Sequence, residues 1–387
     1  MQDGAMHAVD VHDGDVQGST MLNSIKSVQW RPLLRQYRQL FNTPQDYWRV
    51  PLQTAALLTG AKSFTDNPVL GHAAFNEAGL HALRVRLAAK MAAKRRARLA
   101  HALSEPDRAL FAKNGFILKE NFLPPEQFER LQQELLTAEL PARETLQGNA
   151  VTRRIALDYH SLPQLPETRR LLALPLWQAL INYVGSFDVQ PMLYIQSILT
   201  HVRDANPDPQ TSLHSDTFHS SVKAWLFLTD VAADEGPFVY VPGSHQLTPQ
   251  RLQWERQRSI TAASTDRMSA RGSLRIDESE LPQLGLPAPH AFAVAKNTLV
   301  VADTYGFHAR GHSVRPSTRI EIWAFARRNP FLPWAGFDPA KLPFLKHKVI
   351  PLYWWALDEL EKRQWRKNPW HAVGALKAAD PPRFIRK

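Results

Sequence analysis

The sequence predicts an α+β fold: an antiparallel β-sandwich or barrel with flanking helices and a helical N-terminal extension. Two observations carry this. From about residue 150 the chain holds seven short segments rich in Val, Ile, Leu and aromatic residues: "VTRRIALD" (151–158), "VQPMLYIQSILTHV" (189–202), "VKAWLFLTDV" (222–231), "PFVYV" (237–241), "AFAVA" (291–295), "NTLVVAD" (297–303) and "TRIEIWAFA" (318–326). Pro, Gly, Asn or Asp bounds them and no βαβ helices intervene, so the strands are expected to pair antiparallel. Over 30–103, by contrast, apolar residues recur at helical spacing.

The elements follow in order. Residues 1–22 are polar and aperiodic and are expected to form a mobile leader. Residues 23–105 make the basic helical extension. Within it, "LHALRVRLAAKMAAKRRARLAHAL" (80–103) carries seven Lys/Arg from Arg84 to Arg98 and no acid. Such a face could lie on an anionic surface, but packing against a core is the expected role. "SEPD" (104–107) starts a helix with Ser104 as cap, and "NGF" (114–116) stops it. "FILKENFL" (116–123) reads as a strand. "PPEQFERLQQELL" (124–136) reads as a helix with Phe128, Leu131 and Leu135 on one face. Residues 106–329 are assigned to the β domain. Within them, the polar stretch 247–288 is long enough to be a lid or insertion over a site. Residues 330–387 form a Pro/Trp-rich C-terminal extension with a short helix near 353–365 and a basic tail.

Composition limits the chemistry. Cysteine is absent, which excludes disulfides and Cys-ligated zinc or iron–sulfur centres. A metal would have to be held by His and carboxylate. No apolar run approaches the ~20 residues of a membrane span, and residues 1–20 carry four Asp and no signal-peptide core. The expected location is cytoplasmic. The net charge of +11 favours an anionic partner: an acidic small molecule, a membrane surface or nucleic acid. No nucleic-acid-binding motif is present.

"SLHSDTFHSS" (212–221) places His214 and Asp216 two positions apart, on one side of a strand or strand end. Two histidines and one carboxylate on one face of an octahedron suit non-haem Fe(II). His308, 94 residues on and just after a strand, supplies a further imidazole. Arg319, eleven residues later on the next strand, puts a guanidinium among apolar neighbours, where it requires an anion. A dicarboxylic co-substrate that chelates iron at one end would meet it at the other.

These pieces resemble the phytanoyl-CoA dioxygenase family of Fe(II)/2-oxoglutarate oxygenases. The matching stretches are "NGFILKENFLPPEQFERL" (114–131), "IQSIL" (195–199), "HSD" (214–216), "KAWLFLTDVAADEGPFVYVPGSH" (223–245) and "FHARGHSVRPSTRIEIW" (307–323), within about 107–329. The resemblance implies a double-stranded β-helix (jelly-roll, cupin-like) core that uses Fe(II), 2-oxoglutarate and O2. His214, Asp216 and His308 would be the iron ligands, and Arg319 would hold the distal carboxylate of 2-oxoglutarate. Trp225 would line the co-substrate pocket, with Gln196 and Ser197 on the strand facing it. The implied reaction is hydroxylation of an unactivated C–H bond of a small organic or lipid-type substrate, releasing succinate and CO2. Related halogenases replace the carboxylate ligand with a small residue, so the presence of Asp216 favours hydroxylation. One departure is Arg310, where the family often has a small hydroxyl residue.

The other polar residues carry lesser expectations. His312 competes with His308 but breaks the eleven-residue step. His219 is expected near the site rather than on the metal, and His245 is expected to be structural. His201 and Arg203 could face the pocket or solvent. Arg153 and Arg154 are candidates for an acidic substrate group. Two rival readings are a cupin-like Zn/Mn isomerase or hydrolase, and a non-catalytic module binding an anion or membrane surface.

Overall fold

Helical periodicity becomes helix through residue 114 in the computed structural model, which describes residues 30–384. The expected leader, 1–22, lies outside the described residues. Helices α1 (Trp30–Arg38), α2 (Asp46–Ala55), α3 (Ala73–Glu77), α4 (Leu80–Leu99) and α5 (Glu105–Asn114) come first. The Ser104 hydroxyl accepts from the Asp107 N–H at 3.3 Å, and Gly115 ends α5 at φ +85°. Three of the seven α4 cations turn inward. Arg84 donates to the carbonyls of Leu57, Thr59 and Ala61, and Arg95 to those of Ser186, Pro330 and Leu332. Arg96 reaches the Val184 carbonyl and the Asp303 carboxylate. These guanidiniums satisfy helix-end and loop carbonyls that lie outside the strands. Arg86, Lys90, Lys94 and Arg98 are exposed. Among the described residues no helix is long and apolar enough to cross a membrane.

Strand β1 (Phe116–Lys119) and helix α6 (Pro125–Thr137) follow, then β2 (Leu140–Gln147), β3 (Ala150–Ala156), α7 (Pro166–Ala173), α8 (Pro175–Gly185), β4 (Met192–Leu199), β5 (Val222–Phe227) and β6 (Phe238–Tyr240). Helices α9 (Pro249–Thr261) and α10 (Arg267–Ala270) precede β7 (His290–Phe292), β8 (Leu299–Asp303), β9 (His308–Arg310) and β10 (Thr318–Ala326). Helix α11 (Val349–Lys362) and β11 (His371–Leu376) end the described chain. A large antiparallel sheet runs β1-β8-β5-β10-β4-β3-β2-β11, and a small one runs β7-β6-β9. Together they form the double-stranded β-helix. All seven segments expected as strands contribute to these sheets.

Period-2 alternation sorts the large sheet's faces. Leu193, Ile195, Ala224, Leu226, Ile320 and Ile322 pack against helices, with Phe128, Leu131, Trp177 and Leu180 in the same core. Tyr194, Trp225, Phe227 and Trp323 face the small sheet. Each buried side chain of this kind contributes about 1.5–3 kcal/mol, so a one-residue slip would turn every polar inner residue into the core.

Residues 247–288 form a packed insertion rather than a free flap. Trp254, Ala262, Leu274, Leu281 and Leu284 are buried in one cluster with Leu213 and Phe307. Ile276 N–H donates to the Leu213 carbonyl, and Ser215 N–H to that of Leu274. The insertion thus props the strand end that carries His214.

The C-terminal segment is part of the sheet system. Strand β11 pairs with β2, with a register shift between Ala372 and Gly374. The completely buried Arg153 pairs with Glu144 at 2.7 Å and donates to the carbonyls of Lys377, Ala378, Asp380 and Pro381.

Candidate metal centre

His214 and His308 are brought together by backbone pairing. Each donates its N–H to the other's carbonyl, at 3.0 and 2.9 Å. Asp216 N–H donates to the Thr304 carbonyl at 2.9 Å, which anchors the third residue to the loop after β8. One ligand atom from each of His214, Asp216 and His308 lies within 4.8 Å of the other two. Nε2 of His214 and of His308 stand 3.7 and 3.6 Å from Asp216 Oδ1.

The ring tautomers are set from behind. His214 Nδ1 bonds the Ser212 carbonyl at 2.8 Å and His308 Nδ1 the Gly306 carbonyl at 3.0 Å. A carbonyl only accepts, so each Nδ1 carries the proton and each Nε2 presents a lone pair to the centre. Burial, with the facing His308 ring, holds His214 well below the usual imidazole range. Burial works to raise the Asp216 carboxyl, but the Lys223 ammonium at 2.6 Å and both imidazoles override it and keep it well below the carboxylate range. An unprotonated His214 and an ionised Asp216 are protonation states that a divalent ion requires.

A cavity of about 420 Å³ opens beside these three residues. Its walls include Trp225, whose ring lies 4.2 Å from that of Phe238, together with Gln196 and Arg319. Arg319 Nε donates to Glu321 Oε2 at 2.8 Å and Nη1 to the Gly236 carbonyl at 2.6 Å, while Nη2 makes only a 3.5 Å contact with Glu321. The anion that Arg319 requires is therefore partly supplied within the chain. Glu321, two positions on and on the same face of β10, went unnoticed in the sequence; i,i+2 alternation is the signal that could have found it. Gln196 Nε2 donates to the same carboxylate at 2.8 Å.

Ser197 does not face the pocket. Its neighbour Gln196 points inward, so alternation turns Ser197 outward, where its hydroxyl donates to the Ala378 carbonyl at 2.6 Å. Arg153 likewise points outward and is structural, whereas Arg154 lines the cavity. Arg310 lines it too and pairs with Asp208. His219 is buried but outside the ligand cluster, its Nδ1 on the Ser220 carbonyl and its pKa pushed by burial to about 3. His245 packs on Phe111 at 5.1 Å, and His312 is exposed. His201 bonds the Ser313 carbonyl and Arg203 that of Gly148, both on the surface. Lys223 and Lys62, which the sequence reading did not single out, line the cavity beside Asp216.

Residues 111–280 match the model of the phytanoyl-CoA dioxygenase family. The chain carries a phytanoyl-CoA dioxygenase domain. The match contains His214, Asp216 and Trp225 and ends before His308 and Arg319, which the fold brings to the same centre. No curated protein sequence matches the chain. Among solved structures, the 2-oxoglutarate-dependent epimerase SnoN from nogalamycin biosynthesis is similar at 18% identity and TM-score 0.39, over 62% of this chain and 87% of that one. HygX from Streptomyces hygroscopicus, with nickel and 2-oxoglutarate bound, is similar at 16% identity and TM-score 0.39, over 63% and 94%. The carbocyclase SnoK is similar at 17% identity and TM-score 0.35, over 59% and 85%.

Proposed function

We propose that this phytanoyl-CoA dioxygenase domain is an Fe(II)- and 2-oxoglutarate-dependent hydroxylase of a small organic substrate, with dioxygen as oxidant and succinate and CO2 as co-products. The observation that carries the reading is the convergence of His214, Asp216 and His308, with both Nδ1 atoms locked on carbonyls and both Nε2 lone pairs facing in. Three ligands on one face suit Fe(II) and leave positions for co-substrate and dioxygen. When bound, the iron supplies the coupling of 2-oxoglutarate decarboxylation to oxidation of a C–H bond.

The chain's own residues set the conditions. Asp216 contributes one negative charge, and the family's domain match covers the position. Arg319, steadied by Glu321 and the Gly236 carbonyl, offers Nη2 to the distal carboxylate of 2-oxoglutarate. Trp225 and Phe238 form an apolar wall that limits water beside the centre. Gln196 on β4 links Glu321 on β10 to Arg154 on β3 across the large sheet.

The test is succinate formation from 2-oxoglutarate with Fe(II), with anaerobic controls. His214→Ala and Asp216→Ala should abolish turnover and iron binding together. Arg319→Ala should raise the 2-oxoglutarate requirement while iron stays bound. Iron affinity unchanged by both ligand substitutions would refute the site, and loss of iron in Arg319→Ala would make Arg319 structural.

A further inference from the structure

The cavity carries more positive charge than an iron centre with 2-oxoglutarate can use. Lys62, Arg154, Lys223, Arg310, Arg319 and Arg327 line it, and Asp216 is the acid among the lining residues. Three of the six cations meet a carboxylate: Lys223 on Asp216, Arg319 on Glu321 and Arg310 on Asp208. Lys62 Nζ donates to the Asp216 carbonyl at 2.5 Å, and burial lowers Arg327 while the nearby Asp216 charge partly offsets it, which puts both towards the metal end. With Asp216 already matched by Lys223, a divalent ion and the two carboxylates of 2-oxoglutarate cancel, so these two cations already exceed the negative charge at that end. Arg154 is left over.

Arg154 is gripped but not paired. Its Nε donates to Gln196 Oε1 at 3.2 Å. Its guanidinium carbon lies 4.1 Å from the Trp323 ring centre, 4.5 Å from Trp370 and 5.0 Å from Tyr194. Among the described residues no carboxylate forms an ion pair with it, and its two terminal nitrogens make no hydrogen bond. Burial lowers it to about 10, which leaves it a cation at neutral pH. A guanidinium held by its faces keeps a planar fork of donors, and that fork fits the two oxygens of a carboxylate or phosphate. Trp323, Trp370, Tyr353 and Phe325 make the surrounding surface aromatic, with the Trp323 and Phe325 rings stacked.

We propose that Arg154 anchors the organic substrate, and that this substrate joins a carboxylate or phosphate to a flat apolar body. The proposal rests on the hydroxylase reading for the reaction but not for the anchor. The wall that selects the substrate comes partly from outside the matched domain. Trp370 and Tyr353 belong to the C-terminal segment, where Arg143 on β2 donates to the Trp370 carbonyl at 3.2 Å and pairs with Asp358 of α11 at 2.5 Å. Trp370 is thus a positioning residue for the Arg154 fork.

Calorimetric binding of phenyl phosphate and of benzoate to the metal-free protein tests the anchor, with benzyl alcohol as the uncharged control. Wild type should bind an aryl anion and not the alcohol, and whichever anion binds more tightly identifies the group. Arg154→Gln should weaken that binding at least about tenfold, Arg154→Lys by less, and Arg319→Gln by less than about twofold. Trp370→Leu should weaken it with the charge intact. The anchor is overturned if neither anion binds wild type, or if Arg154→Gln, shown to be folded by its melting temperature, binds like wild type. A second measurement uses Mn(II)-loaded protein and 2-oxoglutarate. Arg154→Gln should lower that affinity far less than Arg319→Gln does. Its loss there, without loss in Arg319→Gln, would assign Arg154 to the co-substrate and overturn the proposal. Failure of metal or 2-oxoglutarate binding in wild type would refute the hydroxylase reading and leave the aryl-anion result standing.

Discussion

Replacing Arg153 with Met should release the C-terminal segment while leaving the metal centre in place. Arg153 is completely buried, and its guanidinium donates twice to Glu144 and to four carbonyls of residues 377–381. Methionine keeps the apolar stem but strands the buried Glu144, which then relies on the Arg383 and Phe384 N–H groups at 2.9 and 2.7 Å. Removing one partner of a buried pair costs about 3–5 kcal/mol, a large share of the ~5–15 kcal/mol that holds a domain together. Urea unfolding measures the loss, and proteolysis of the native protein should cut first beyond residue 370. Arg153→Met with Glu144→Gln should recover part of the loss, because the second change removes the stranded charge. A loss below about 1 kcal/mol would refute the reasoning. It would mean that β11 pairing alone holds the segment and that desolvation cancels the ion pair.

Three further outcomes follow from the same geometry. His308→Ala should lower Fe(II) affinity by more than the ~10–100-fold typical of an outer support, read by metal titration, with the fold intact by circular dichroism. Gly306→Ala keeps every ligand, yet a Cβ there would lie 1.9 Å from the Tyr240 hydroxyl, which donates to the Asp303 carbonyl. It should cost about 1–3 kcal/mol by overpacking and weaken metal binding by shifting the carbonyl behind His308, checked by melting and metal titration. Burial depresses His245 to about 4, so the unfolded chain takes up a proton that the folded one refuses as pH falls below the ordinary imidazole value. Its share of stability is complete above pH ~6.5 and is lost as pH falls towards 4, at up to about 1.4 kcal/mol per pH unit. His245→Gln should flatten that part of a pH series of urea unfolding curves, and an unchanged slope would contradict it.

Local chemistry was the most legible. Ser104 and Gly115 bound α5 as their residue types demand, because a cap and a positive φ depend on nearest neighbours alone. The seven apolar segments became strands because their alternation and turn residues agree. Strand β2, "LPARETLQ", was missed because Pro141, Arg143 and Glu144 mask its alternation; Glu144 is buried only because Arg153 opposes it. Strand β11 was missed because a glycine-containing edge strand has almost no pattern of its own. Ser197 was misplaced by one step of the pleat.

The sequence by itself determined the residue types of the centre, the step from His308 to Arg319, and the strand character of the segments that carry them. It did so because metal ligation and strand formation each demand particular side chains at short, regular spacings. Only the tertiary structure decided which cations are free. Arg84 and Arg95 read in one dimension as part of a cationic helix and Arg153 as a candidate substrate anchor, but all three are consumed by carbonyls and Glu144, while Arg154 is left facing the cavity. Charge pairing is a property of neighbours in space, and those neighbours lie from 9 to 237 residues apart along the chain.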